Sequence, residues 1–214
     1  LYAYHPREEK ITCVLPEISP GNAFYAQCHI APDNNLWVMT STGLRCYDPS
    51  TLQLKESVAL SGYPYYSYLH NNELWITGNH TLSIFDTRTH SFKPLPQPIA
   101  HNTTLCNADI DYIHPYGNNG LLLNTARHGM FYYNPGTGSV TRQDENGFPF
   151  EMPRFRISRM FTDSQQNLWI GSVDQGYTVC YHYKERFNND NCLRSELNNK
   201  SVVCLLYTSP SPRD

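Results

Sequence analysis

Asp109 and Asp111 stand one residue apart, with Arg127 and His128 downstream, and these four side chains are the set that could do acid–base work. Paired carboxylates act as acid and base when their surroundings separate their affinities for a proton. Here they fall on alternate residues of one expected strand and so face the same way, which suits a turn or axial position better than proton transfer. No Gly-x-Ser-x-Gly, His-Glu-x-x-His, phosphate-loop or Gly-x-Gly-x-x-Gly arrangement occurs. None of the nine histidines lies two or four residues from another, and His5, His114 and His182 flank expected strands. Cys13, Cys28, Cys46, Cys106, Cys180 and Cys192 include no Cys-x-x-Cys pair and read as small core residues rather than zinc ligands. The expectation is no catalytic residue, no metal and no cofactor.

The elements that would hold such residues are strands. Aromatic residues make up 13% of the chain and charged residues only 16%, a balance that suits pleated, half-buried surfaces. The fifteen prolines and twelve glycines break the chain often. A formal charge of -3 with no basic stripe gives no footprint for nucleic acid. No apolar run is long enough to span a membrane. The opening "LYAYHPREEK" has no initiator Met and no apolar signal core, and reads as the middle of a longer protein. Cys204 to Asp214, "CLLYTSPSPRD", matches a translated sequencing-transposase adapter and reads as a tail with no structural role.

All three tryptophans sit in one phrase: "DNNLWVMTS", "NNELWITGN" and "SQQNLWIGS". Trp37 and Trp75 are 38 residues apart, and Trp75 and Trp169 are separated by 94, twice 47. A degenerate copy therefore belongs near position 122, and "NNGLLLNTARHGMFYYNP" supplies it with Leu122 in the tryptophan's place. Each copy runs on into a short strand and a polar turn: "LRCYDPST", "LSIFDTRT", "FYYNPGTG" and "TVCYHYKE". In the last unit "ISRMFTD", "NLWIGS", "YTVCYHY" and a segment around Phe187 make four strands.

Four short strands per unit at this period predict an all-β chain, a β-propeller fragment of about four four-stranded blades with partial blades at both ends. A β-sandwich also has short strands but does not require the same phrase in every unit. The expected division is a partial blade over 1–20, blades over 21–60, 61–100, 101–150 and 151–195, the start of another over 196–203, and the tail 204–214. Trp37, Trp75, Leu122 and Trp169 are expected to be buried between blades, as the structural core of the repeat.

"DNNLWVMTSTGLRCYDPST" and "DSQQNLWIGSVDQGYTVCYHYKERF" resemble the two-component-regulator propeller repeat. Its signature runs D-x-x-G-x-L-W-I-G-T, then G-L and an aromatic-Asp-Pro turn. "LNNKSVVCL" resembles the start of a further repeat, and the resemblance covers nearly all of Leu1 to Val203. Asn35 and Gln166 stand where the signature has Gly, and the copy around Asn72 lacks the leading Asp. The resemblance implies the periplasmic sensor region of a Bacteroides-type hybrid two-component system, preceding a membrane helix, a histidine kinase, a receiver and a DNA-binding domain. It implies an oligosaccharide ligand, the parent chain's remaining blades as partners and a homodimeric parent, with no nucleic-acid contact or membrane span in this piece.

In a four-stranded blade, the loops joining strands two and three share a face with the loops joining successive blades. The first set holds His80, Arg127, His128, Asp174 and Gln175; the second holds Tyr65, Tyr66, Phe150, Arg154 and Arg156. Aromatic platforms beside bidentate polar groups suit sugars, so these ten residues are the expected ligand-binding set. Two rivals stand beside a ligand-sensing, non-enzymatic propeller. One is a propeller lyase or hydrolase using Asp109, Asp111, His128 and Arg127; the other is a passive scaffold for protein contacts.

Overall fold

In "Leu-Trp-aliphatic" the side chains alternate between two faces, and both faces are apolar, as a strand covered on both sides requires. The computed structural model, which describes residues 2–13, 27–117, 119–152 and 156–181, consists of such strands in successive antiparallel sheets. β1 (Tyr2–His5) and β2 (Lys10–Cys13) form a hairpin. The first four-stranded sheet holds β3 (Gln27–Ile30), β4 (Leu36–Thr40), β5 (Gly43–Tyr47) and β6 (Leu54–Val58). The second holds β7 (Pro64–His70), β8 (Glu73–Gly78), β9 (Thr81–Asp86) and β10 (Ser91–Lys93). After two single-turn helices, α1 (Gln97–Ala100) and α2 (Thr103–Cys106), the third holds β11 (Ile110–Tyr116), β12 (Gly120–Thr125), β13 (Gly129–Asn134) and β14 (Ser139–Arg142). In the fourth, β15 (Ile157–Thr162), β16 (Leu168–Ser172) and β17 (Tyr177–Cys180) are described. Every sheet pairs its strands in chain order, the meander of a propeller blade. The first strands β3, β7, β11 and β15 lie innermost, each beside the next.

Three apolar layers separate the sheets, and the tryptophan phrase explains them. Trp37 and Met39 face the second sheet, whose Leu74, Ile76 and Phe85 face back. Trp75 faces the third sheet, meeting Leu121, Leu123 and Tyr133. Leu122 faces the fourth, meeting Met160, Leu168 and Ile170. The tryptophan position thus points toward the following sheet and its two neighbours toward the preceding one. Trp37 is 0% exposed and Trp75 2%, each near an aromatic ring of the next sheet's third strand: Phe85 at 5.0 Å and Tyr133 at 6.3 Å between ring centroids.

Trp169 departs from the expectation of burial: it is 36% exposed. Its face points beyond the fourth sheet, where among the described residues no further sheet lies and no ring from a following third strand meets it. The cysteines also depart from the core reading. Cys46 is buried, but Cys13 and Cys28 are exposed and Cys106 and Cys180 half-buried.

The turns repeat as closely as the strands. Asp48, Asp86 and Asn134 each accept two backbone N–H bonds, from Ser50 and Thr51, Arg88 and Thr89, and Gly136 and Thr137. Four residues after each, Leu52, His90 and Gly138 take positive φ of 58°, 54° and 64°. In the turns before the second strands, Asn34, Asn71, Asn119 and Gln166 have φ between 56° and 65°. Gln166 therefore occupies a left-handed position where Gly costs least, whereas in the first copy that position is Asn34, not Asn35. Arg154, His182, Phe187, Cys192, the segment 196–203 and the tail 204–214 lie outside the described residues.

Candidate functional site

The innermost strands share a defect that builds a site. β7, β11 and β15 each carry a β-bulge near their start, at Tyr65, Asp111 and Ser158. A bulge inserts one residue on one strand and re-aims side chains. One residue later, Tyr66, Tyr112 and Arg159 stand at a single register, opposite Thr77, Asn124 and Gly171; Gln27 holds the same place in β3, opposite Met39. Just before the strands, the carbonyls of Tyr63, Asp109 and Arg156 accept N–H bonds from Asn79, Ala126 and Val173 in the loops between second and third strands. These three tiers are a rim, a bulge and a floor at one end of the inner strands.

An open cleft of about 450 Å³ lies there, lined by Gln27, Tyr65, Tyr66, Asp109, Asp111, Ala126 and Arg159. Its floor is an interlocked ladder. Tyr66 donates its hydroxyl to the carbonyl of Ile113 and Tyr112 donates to that of Met160, at 3.3 and 3.2 Å, each reaching into the next sheet. The Tyr66 and Tyr112 rings lie 4.7 Å apart, and the Arg159 guanidinium sits 5.4 Å from the Tyr112 centroid. Burial pushes the Tyr66 phenol far above its ordinary range, so it stays a donor. Gln27 Oε1 accepts from the Ser67 hydroxyl at 3.0 Å and from its backbone N–H.

The two carboxylates have different duties. Asp109 Oδ1 accepts from the backbone N–H of His80 at 3.1 Å and from the Tyr65 hydroxyl at 3.4 Å, tying the third sheet to the second. His80 Nδ1 donates to the carbonyl of Asn107 at 2.9 Å. The Asp111 carboxylate accepts no hydrogen bond among the described residues. Desolvation raises its pKa and so, to a smaller degree, does Asp109, while the Arg156 cation pulls the other way. Desolvation also raises the Tyr65 phenol, helped by the charges of Asp109 and Asp111.

The residues expected to bind ligand divide accordingly. Tyr65 and Tyr66 line the cleft, His80 holds its rim and Arg156 acts on Asp111. Arg127 and His128 are exposed in the turn after β12, but only their neighbour Ala126 lines the cleft. Asp174 and Gln175 are exposed in the corresponding turn of the fourth sheet. Phe150 does not present a ring to solvent. It is 7% exposed, packed against Tyr116 and Phe148 between the third and fourth sheets, because its loop folds back over an apolar gap. Gln27, Tyr112 and Arg159 escaped the sequence reading, although each lies ten residues before the phrase position at Trp37, Leu122 or Trp169. Among the described residues no three His, Cys, Asp or Glu side chains converge to hold a metal, and no helix is long and apolar enough to cross a membrane.

No protein-family model matches the chain, and none of the curated proteins does. Solved structures share its fold. The extracellular domain of a protein assigned as a hybrid two-component system of B. thetaiotaomicron superimposes with a TM-score of 0.61 at 21% identity, over 84% of this chain and 24% of that one. A second such domain from B. thetaiotaomicron gives 0.52 at 18%, over 85% and 23%. The β-propeller domain of Cps50 (Swd1) from Myceliophthora gives 0.55 at 15%, over 79% and 58%. The chain thus spans about a quarter of the two-component domains it resembles, and its likeness to the Cps50 domain shows a propeller fold.

Proposed function

We propose that this chain is part of the periplasmic sensor region of a hybrid two-component histidine kinase, and that it binds a small oligosaccharide without transforming it. The observation that carries the reading is the cleft at the bulged ends of the inner strands, with Tyr65 and Tyr66 as ring surfaces and Asp111 and Arg159 as polar groups. Sugars are held in this way, by an apolar ring face and a few directed hydrogen bonds. Two neighbouring folds belong to extracellular domains of two-component proteins, which supports the placement. The carboxylates support a non-enzymatic reading: Asp109 is committed to His80 and Tyr65, and among the described residues no imidazole lines the cleft beside Asp111. A ligand shifts a sensor only through unequal affinity for its signalling states, so binding must change how neighbouring sheets sit. The ladder from Tyr66 through Tyr112 to Met160 crosses two sheet boundaries and is the route on offer. Calorimetric titration of the full-length protein's sensor region with glycan digests tests the proposal. Saccharide binding that Tyr65→Ala weakens at least tenfold is expected; turnover of the glycan, or no binding at all, would overturn it.

A further inference from the structure

Four sheets contribute one residue each to a single register of the inner strands: Gln27, Tyr66, Tyr112 and Arg159. The two middle members spend their hydroxyls on the carbonyls of Ile113 and Met160. The two outer members carry N–H groups instead, so the ring pair has a donor at each end. Arg159 gives one N–H to the carbonyl of Ser158 and has no other acceptor among the described residues. Gln27 is fixed more tightly. The backbone N–H and the hydroxyl of Ser67 meet the same side-chain atom of Gln27. A backbone N–H only donates, so that atom is the amide oxygen. The Ser67 hydroxyl proton goes to this oxygen, and His29 Nε2, 2.8 Å from Ser67 Oγ, therefore carries the proton of that second bond. Burial holds His29 below its ordinary pKa, which keeps the ring neutral. The chain from His29 through Ser67 to Gln27 leaves both amide protons of Gln27, a residue that lines the cleft, without an acceptor among the described residues.

Resting on the oligosaccharide reading, we propose that Gln27 is a specificity-determining residue of the cleft, held by Ser67 and His29 so that its amide donates to an unsubstituted sugar hydroxyl. Arg159 donates to a second hydroxyl at the far end of the floor, and Asp111 accepts hydroxyl protons. A hydroxyl both donates and accepts, so it satisfies a site that mixes N–H donors with a carboxylate. An ether or ester oxygen in the same place accepts from Gln27 but has no proton for Asp111. A desolvated acceptor left unmatched costs more than a single neutral hydrogen bond returns. The ligand class is therefore an oligosaccharide whose bound unit has free hydroxyls. Because Gln27 belongs to the first sheet and Arg159 to the fourth, that unit ties the outermost of these four sheets together.

The test titrates enzymatic digests of neutral polysaccharides into the full-length protein by calorimetry, with the same digests after O-methylation beside them. The untreated digest is expected to bind, and the methylated one to bind at least tenfold more weakly. Gln27→Glu keeps an oxygen for Ser67 and removes the amide donors; Gln27→Met removes the donors without adding charge. Each should lower affinity for the untreated digest about tenfold or more. Tryptophan emission unchanged from the wild type shows which variants fold. Unaltered affinity in either folded variant, or methylated glycans bound as tightly as free ones, would overturn the assignment of Gln27 and leave the oligosaccharide reading standing. Binding of neither digest would overturn both.

Discussion

Trp37 and Trp169 stand in the same phrase, on the second strand of their sheets, and their surroundings are opposite. Trp37 is sealed between two sheets, edge-on to Phe85 of the following one. Trp169 lies over the surface of its own sheet, near Tyr177 at 5.3 Å, with its indole N–H donated to Asp163. The phrase fixes where the ring is presented, and the next sheet decides whether it is buried. A propeller blade is therefore not a self-sufficient unit: its apolar second strand anticipates a neighbour, as in other repeat architectures.

The largest test of that contrast is truncation. Trp37→Ala should cost about 3–5 kcal/mol, because the layer around it cannot collapse into the space left. Trp75→Ala should cost a similar amount. Trp169→Ala should cost less, about 2 kcal/mol, since its ring is 36% exposed and leaves no sealed cavity behind. Urea midpoints for the three variants measure the difference directly. Equal losses at Trp37 and Trp169 would mean that another surface covers the fourth sheet.

Acid probes the same boundaries by a different force. His114 on β11 is buried and shares a hydrogen bond of 2.8 Å with the Thr162 hydroxyl on β15. Burial lowers its pKa from about 6.5 to about 4. Below pH ~6.5 the unfolded chain takes up a proton that the folded chain refuses. Stability should therefore fall as pH drops from about 6.5 to about 4 and gain no further loss from this residue below that. The loss approaches about 3 kcal/mol for the full shift. His29, whose Nε2 lies 2.8 Å from the Ser67 hydroxyl of the second sheet, is lowered by burial in the same direction. Urea midpoints at several pH values, compared with His114→Gln, isolate the effect from the carboxylates. Parallel pH curves for the two proteins would show that His114 is not sealed in its boundary.

A smaller effect distinguishes ring contacts across a boundary from those within a sheet. A double-mutant cycle between Trp37 and Phe85 should give a coupling of about 0.5–1.5 kcal/mol. The Trp169–Tyr177 cycle, between partly exposed rings of one sheet, should fall below it. A reversal would place the greater packing density at the outer face.

The repeat was legible because burial on both faces of a second strand leaves a dense apolar phrase, readable even at Leu122 where the tryptophan is lost. The site was only partly legible. Tyr65 and Tyr66 were placed at the right end of the blade, although they lie on β7 and not in the loop before it; a bulge leaves no side-chain pattern, so nothing in the sequence singled out the aim of Asp111. Asp109 and Asp111 read as an equivalent pair on one strand. Asp109 instead precedes β11 and is bound by a histidine turn of the preceding sheet, a contact 29 residues away in sequence. Phe150 misled because aromatic residues in a long connection look like surface platforms, whereas this loop fills a gap between sheets. The segment between β10 and β11 carries no helical stripe in the sequence, yet it contains α1 and α2, held by the Asn102 cap at Leu105 and by burial of Ile99 and Leu105.

The finest distinction concerns one proton donor. The indole N–H groups of Trp37 and Trp75 are buried without an acceptor among the described residues, whereas that of Trp169 reaches Asp163 Oδ2 at 2.9 Å. Asp163 is already the hub of its turn, accepting from the backbone of Gln165 and Asn167 through its other oxygen. Its pKa is lowered first by the Trp169 hydrogen bond and then, against the cost of desolvation, by the bonds from Asn167 and Gln165. A depressed carboxylate contributes stability above its unfolded pKa and loses it as pH falls through the folded value. Trp169→Phe deletes the indole donor and leaves the turn in place, so the Asp163 pKa should move upward toward the ordinary carboxylate range. Carboxyl-carbon NMR titration reads that shift without requiring the protein to unfold. Trp37→Phe should leave the Asp163 titration untouched, because Trp37 belongs to the first sheet and Asp163 to the fourth, three sheet boundaries away. An unchanged Asp163 in Trp169→Phe would show that the indole N–H is bonded elsewhere, and with it that the outer ring faces a partner rather than its own turn.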